Sequence, residues 1–88
     1  MEAEMGYEEA YRQALSLSPV DPLRLNRALN YSVFLVEDKN DIRYGIKVAS
    51  EAFEDGISGD LEDLKEQEYE EVAKILQNLH DNLLEWTN

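Results

Sequence analysis

Hydrophobic side chains recur every three to four residues in four stretches of the chain, which is the spacing of an amphipathic helix. The first two stretches are predicted to run from about Glu2 to Leu17 and from Pro22 to Glu37. The third covers about Ile42 to Ile57, and the fourth about Glu66 to Trp86. No stretch predicts a strand. The clearest apolar stripe is that of the fourth helix, which consists of Val72, Ile75, Leu76, Leu79, Leu83 and Trp86.

Prolines, glycines and capping residues separate these helices. Ser18-Pro19 ends the first helix, because a residue before proline avoids the helical region. Asp21-Pro22 begins the second, with aspartate as the N-cap and proline at the first helical position. Residues 38–41 form a polar connector with a new cap. Gly56 and Gly59 are expected to end the third helix in the left-handed conformation.

The connectors between the predicted helices are short, and short connectors favour antiparallel neighbours. The fold class predicted for residues 1–88 is therefore all-α, a single helical unit of four antiparallel helices arranged as helical hairpins. Two segments that could be repeats, 7–22 and 44–59, do not align convincingly as copies of a tetratricopeptide unit.

Charge excludes several classes of partner. The chain of 88 residues carries 8 basic and 20 acidic side chains, so its formal net charge is 8 − 20 = −12. A chain this acidic has no electrostatic reason to bind a nucleic acid backbone or an anionic membrane. Hydrophobic residues still make up 43% of the chain, which is more than an acidic disordered tail contains. The start is acidic rather than signal-like, so we expect a cytoplasmic protein.

Residues that could carry catalysis or hold a cofactor are scarce. The chain contains no cysteine and one histidine, His80. Residues 51–71 include ten acidic side chains, but neither Asp38 nor Asp55 begins a run with the spacing of a calcium-binding EF-hand loop. A solvated acidic surface is the better interpretation. We therefore expect no metal, no cofactor and no enzymatic activity.

Two asparagines in the middle of predicted helices are more informative. Asn30 and Asn82 each lie beside an apolar stripe, although asparagine is a mediocre helix former. One interpretation is an interhelical hydrogen bond that fixes the packing. The other is a groove in which both carboxamides bind the backbone of an extended peptide, since a carboxamide both donates and accepts. Trp86 likewise suits either the core or a groove wall. The residue types leave both interpretations open.

Four blocks of sequence resemble the 14-3-3 family. Residues 21–25, Asp-Pro-Leu-Arg-Leu, and 28–34, Ala-Leu-Asn-Tyr-Ser-Val-Phe, are similar to that family's Pro-Ile-Arg-Leu and Leu-Asn-Phe-Ser-Val-Phe signature. Residues 52–55, Ala-Phe-Glu-Asp, are similar to its Ala-Phe-Asp-Glu. Residues 79–87 resemble its ending around Arg-Asp-Asn-Leu-Thr-Leu-Trp-Thr. The blocks have the family's order and nearly its spacing over essentially the whole chain.

The resemblance implies a role for each matched residue. Asn30 and Asn82 match the two asparagines that bind the main chain of phosphopeptides, and Glu37 matches a glutamate that steadies the basic phosphate pocket. The groove's apolar wall and its surroundings are matched by Leu29, Val33, Ile75, Leu79 and Trp86. The chain departs from the family at Lys74 and Asn78, where the family has leucines.

The resemblance covers the last four helices of the family's longer domain. No residue of this chain matches the family's cationic phosphate pocket or its dimer-forming helices. It implies the C-terminal portion of an adaptor that binds phosphoserine or phosphothreonine peptides, with phosphorylated client proteins as partners of the complete domain. The N-terminal helices would be supplied separately or replaced by self-association. The alternative is a helical-repeat scaffold that binds partners without phosphate and self-associates through its uncovered apolar face.

Overall fold

The computed structural model describes residues 2–88, and side chains from 6 to 62 and from 64 to 88. Four α-helices follow one another: α1 (Glu2–Ala14), α2 (Pro22–Glu37), α3 (Ile42–Ser58) and α4 (Glu66–Thr87). A single turn of 3-10 helix, Leu61–Asp63, lies between α3 and α4. Residues 2–88 contain no strand, so the all-α prediction is confirmed. None of the helices among the described residues has the length and apolar composition needed to cross a membrane.

Aspartate caps set the starts of α2 and α3, as the sequence predicts. The Asp21 carboxylate accepts a hydrogen bond from the Leu23 backbone N–H at 2.9 Å, and Pro22 occupies the first turn. The Asp41 carboxylate accepts from the Tyr44 backbone N–H at 3.3 Å. Each cap satisfies an N–H group that has no partner within its helix.

Helix α1 ends at Ala14, earlier than the predicted Leu17. Residues 15–17 continue as a turn, and Arg24 from α2 binds its free carbonyl groups. The Arg24 guanidinium donates to the Leu15 oxygen at 3.3 Å and to the Leu17 oxygen at 2.8 Å. A cation at a helix C-terminus is favourable because the helix dipole is negative there. This contact holds the turn that follows α1, and the local sequence alone does not reveal it.

The left-handed conformation predicted near the end of α3 is wrong. Gly59 has φ −76° and ψ 172°, which is extended backbone, and no described glycine has a positive φ. Gly59 is required by packing instead, because a Cβ there would overlap Cγ1 of Val20. The positive φ, 56°, belongs to Asn40 in the connector between α2 and α3. Asparagine tolerates this region better than most residues.

Helix α2 lies at the centre of the array and contacts α1, α3 and α4. Its buried face joins two clusters of core side chains. The first cluster, shared with α3 and α4, consists of Leu25, Ala49, Val72, Ile75, Leu76 and Leu79. The second, shared with α3, consists of Ala28, Tyr31, Phe34, Leu35 and Val48.

Three tyrosines extend the second cluster towards α1 and α3. The rings of Tyr11 and Tyr31 lie 5.1 Å apart, and the Tyr44 ring meets Tyr31 edge-on at 6.0 Å. Such tilted and edge-on pairs are favourable beyond the area that they bury. Burial raises the pKa of Tyr31 to about 12, with a smaller contribution from Tyr44. The phenol in the core therefore stays neutral well beyond neutral pH.

Close contact between α2 and α3 depends on Gly45. A Cβ at this position would overlap the Val36 side chain and lie 3.0 Å from the Ser32 carbonyl oxygen. The backbone of α3 can approach α2 here because residue 45 has no side chain.

We expect Gly45→Ala to lower the free energy of unfolding by up to about 2 kcal/mol. Overpacking costs about 1–3 kcal/mol, and the higher helix propensity of alanine offsets about 1 kcal/mol of that cost. Gly6→Ala is the matched control, because nothing lies within 4 Å of a Cβ there. It should raise stability by up to about 1 kcal/mol. Urea denaturation measures both variants, and equal effects of the two would contradict this packing account.

Candidate functional site

A groove of about 560 Å³ lies between α2 and α4, with one side chain from α1 at its edge. We call it the α2–α4 groove. Two apolar side chains, three carboxamides, three carboxylates and two aromatic rings surround it. These are Leu29, Val33, Asn30, Asn78, Asn82, Glu37, Asp38, Asp81, Phe34 and Tyr7.

Helical spacing places the groove residues on two facing sides. Leu29, Val33 and Glu37 recur every four residues on α2, so they lie on one face of that helix. Asn78 and Asn82 have the same spacing on α4. The α2 side is therefore mainly apolar, and the α4 side is polar.

The two predicted asparagines lie at the same groove and have no partner among the described side chains. Asn30 is exposed and Asn82 is half-buried. Neither carboxamide makes a hydrogen bond within the described part of the chain, and no described buried side-chain atom lacks a partner. The interhelical hydrogen bond considered for these residues is thus not formed between described residues. Their donors and acceptors are left free for a ligand.

The other predicted site residues divide into two sets. Leu29 and Val33 are half-buried in the groove, and Glu37 is exposed at its end. Ile75 and Leu79 belong to the core cluster behind the groove, and Leu79 is completely buried. Trp86 is half-buried and packs against that same cluster. The structure therefore brings five of the eight predicted residues together at the groove and places three behind or beside it.

Several groove residues were not predicted as site residues from the sequence. The Tyr7 ring stacks on Phe34 with centroids 4.8 Å apart, which brings α1 to the groove edge. Nothing in the local sequence indicates this contact, because it depends on how α1 crosses α2. Asn78 is named above as a departure from the family's leucine but not as a site residue, although it precedes Asn82 by one helical turn.

The electrostatic character of the α2–α4 groove is negative. Glu37, Asp38 and Asp81 line it, and no described lysine or arginine does so. The Asp81 Oδ1 atom accepts a hydrogen bond from Gln77 Nε2 at 2.9 Å and lies 3.9 Å from His80 Nδ1. Within the part of the chain that the structure describes, no three histidine, aspartate or glutamate side chains could together hold a metal ion.

The fold and the groove define an all-α helical array with an open, hydrogen-bonding cleft, and the described residues of its lining form no constellation of catalytic groups. The family model described as "14-3-3 protein" matches residues 1–87. The chain belongs to the 14-3-3 family, whose members are non-enzymatic adaptors. This agrees with the expectation that the chain is not an enzyme.

Relatives from distant organisms share this similarity. The chain is 43% identical over 82 residues to 14-3-3 protein 2 of Entamoeba histolytica, covering 93% of this chain and 34% of that protein. It is 42% identical over 82 residues to the 14-3-3 protein homolog of Encephalitozoon cuniculi, covering 93% of this chain and 31% of that protein. It is 40% identical over 86 residues to 14-3-3 protein eta of Bos taurus, covering 92% of this chain and 35% of that protein. The chain thus spans about a third of these relatives' length.

We expect Asn30→Ala and Asn82→Ala to leave the free energy of unfolding unchanged or to raise it by up to about 0.7 kcal/mol. Neither carboxamide stabilises the described fold through a hydrogen bond, and alanine is the better helix former. Leu79→Ala, at a completely buried position, is the contrast and should cost about 2–5 kcal/mol. Thermal and urea unfolding of the three variants test this. A large loss in either asparagine variant would show that the carboxamide has a structural role.

Proposed function

We propose that the chain is the C-terminal portion of a cytoplasmic adaptor that binds phosphoserine and phosphothreonine peptides. In this proposal the chain supplies two asparagines that hold the peptide backbone, which we call the asparagine clamps, and the apolar wall of the peptide groove. It does not supply the basic phosphate pocket. The observation that carries the proposal is the pair of free carboxamides, Asn30 from α2 and Asn82 from α4, at one groove. Phosphorylated client proteins would be partners of the complete domain.

The carboxamides suit a backbone ligand for a simple chemical reason. An extended peptide presents N–H donors and C=O acceptors along its length, and each carboxamide can satisfy one of each. Two such contacts from different helices fix the direction and position of a peptide without reading its side chains. Asn30 and Asn82 would therefore hold many sequences, as an adaptor requires.

The surrounding residues would shape the rest of the peptide site. Leu29 and Val33 offer apolar surface to a peptide side chain, and Glu37 would steady cations brought by the rest of the domain. Ile75 and Leu79 would act from the core by holding α4 in place. Trp86 packs on the same core and would support the end of α4.

The α4 side of the groove would favour polar ligands. Asn78 and Asp81 face the ligand space there, and neither offers apolar surface. Because Asn78 stands where the family has a leucine, we propose that the peptide segment facing α4 is more polar here than in family members with that leucine. Hydrogen-bonding or basic side chains suit this surface, since Asp81 carries a negative charge.

A second candidate is self-association of a phosphate-independent scaffold. It is favoured by exposed apolar side chains on and between α1 and α2, where Leu15 and Leu23 are 43% and 48% exposed. The net charge of −12 opposes the approach of two copies. The adaptor proposal is therefore preferred.

We expect phosphoserine peptides to bind the isolated chain more weakly than micromolar, because a phosphate carries about −1.5 to −2 charges and needs paired cations. Titration of the isotope-labelled chain, followed by NMR, should shift the side-chain amide signals of Asn30 and Asn82. The doubly substituted variant Asn30→Ala, Asn82→Ala should lose that binding, whereas Asn88→Ala, at the chain end outside the groove, should retain it.

Two results of this titration would count against the proposal. Micromolar, phosphate-dependent binding would mean that the chain contains a complete phosphate pocket. A peptide that leaves both asparagine signals unchanged at millimolar concentration would contradict the clamp.

A further inference from the structure

A second cleft, of about 480 Å³, adjoins the α2–α4 groove on the other side of Asn30. It lies between α1 and α2 and is lined by Gly6, Tyr7, Ala10, Arg27 and Asn30. We call it the Arg27 cleft. Tyr7 and Asn30 line both cavities, so a ligand bound in the groove can extend into the Arg27 cleft.

The local sequence explains why this cleft exists. Gly6 and Ala10 are one helical turn apart on α1, and their small size leaves space above that helix. Arg27 precedes Asn30 by three residues on α2, so the two side chains lie on the same face about one turn apart. The Arg27 side chain is half-buried.

The polar groups of the cleft can all donate hydrogen bonds, and none has a partner among the described residues. Among the residues that the structure describes, Arg27 carries the only formal charge in the lining, and its guanidinium makes no hydrogen bond or ion pair with them. The same holds for the Tyr7 hydroxyl and the Asn30 carboxamide. By contrast, Arg12 pairs with Glu8 at 2.6 Å, and Arg24 binds the end of α1 and Asp55.

We propose that the Arg27 cleft is an anion subsite, which takes the phosphate or carboxylate side chain of a peptide whose backbone is bound at Asn30. The inference rests on the proposed function, because it assumes that backbone contact. A guanidinium forms paired hydrogen bonds with phosphate or carboxylate oxygens, and the Tyr7 hydroxyl and Asn30 N–H groups can add further donors. Arg27 is not among the positions that the family resemblance assigns to phosphate.

A single arginine makes the subsite weak. It neutralises only part of a phosphate's charge of about −1.5 to −2, and an exposed or half-exposed ion pair contributes at most modestly. The carboxylates of the α2–α4 groove lie at the other side of Asn30 and disfavour an anion there. The ligand's anionic side chain is therefore directed to the α1 side of Asn30.

The test uses three peptides that differ at one position, which is phosphoserine, glutamate or serine. The isotope-labelled 88-residue chain is titrated with each, and the Arg27 Nε–H signal and the Asn30 side-chain amide are followed by NMR. We expect the phosphoserine peptide to bind roughly three- to fivefold tighter than the serine peptide, with the glutamate peptide between them. Only the two anionic peptides should shift the Arg27 signal.

Charge-matched variants distinguish binding of an anion by Arg27 from a general effect of the chain's net charge on anionic peptides. Arg27→Gln should abolish the preference for the anionic peptides, and Arg27→Lys should retain part of it. Arg43→Gln removes the same charge from an exposed position that lines neither cavity, and it should leave the preference intact. An equal loss in Arg27→Gln and Arg43→Gln, or no preference in the unaltered chain, would overturn the subsite.

The same titrations distinguish failure of the proposed function from failure of the Arg27 subsite. If the serine peptide fails to shift Asn30 and Asn82 at any concentration, the backbone clamp is wrong. If it shifts them and phosphorylation adds nothing, the clamp stands and the Arg27 subsite is wrong.

Discussion

Burial of the inner face of α2 against α3 and α4 is the constraint on which the rest of the structure depends. Leu25 of α2, Ala49 of α3 and Leu79 of α4 have almost no exposed surface and belong to one cluster. Their contact fixes the distance and rotation between α2 and α4. Because Asn30 lies slightly more than one turn after Leu25, and Asn82 three residues after Leu79, this core contact also sets the separation of the two carboxamides.

The two cavities beside α2 divide recognition between them. The α2–α4 groove combines carboxamides with carboxylates, which suits a peptide backbone and disfavours an anionic side chain. The Arg27 cleft contains a single cation and hydrogen-bond donors, which suit the anion that the groove disfavours. Asn30 lies at the boundary of both. In this account a very acidic chain still contributes to phosphopeptide binding, although most of the required positive charge is absent from it.

Local sequence signals predicted the parts of this structure that depend on neighbouring residues. The Asp21 and Asp41 caps set helix starts, and helical spacing placed Asn30 beside Leu29 and Val33. Features created by contacts between distant residues could not be predicted in this way. Arg24 binds the turn that follows α1, and Tyr7 reaches the groove by stacking on Phe34. Both depend on how α1 and α2 cross, which no short stretch of sequence encodes.

The central claim, that Asn30 binds peptide backbone, is tested most directly by removing one backbone donor from the ligand. An ester in place of the peptide bond beside the phosphoserine removes one N–H group and preserves the shape of the chain. Affinities of the ester and amide peptides are measured for the unaltered protein and for Asn30→Ala. The account predicts a loss of roughly two- to tenfold for the unaltered protein and none in the variant. Equal losses in both proteins would contradict it.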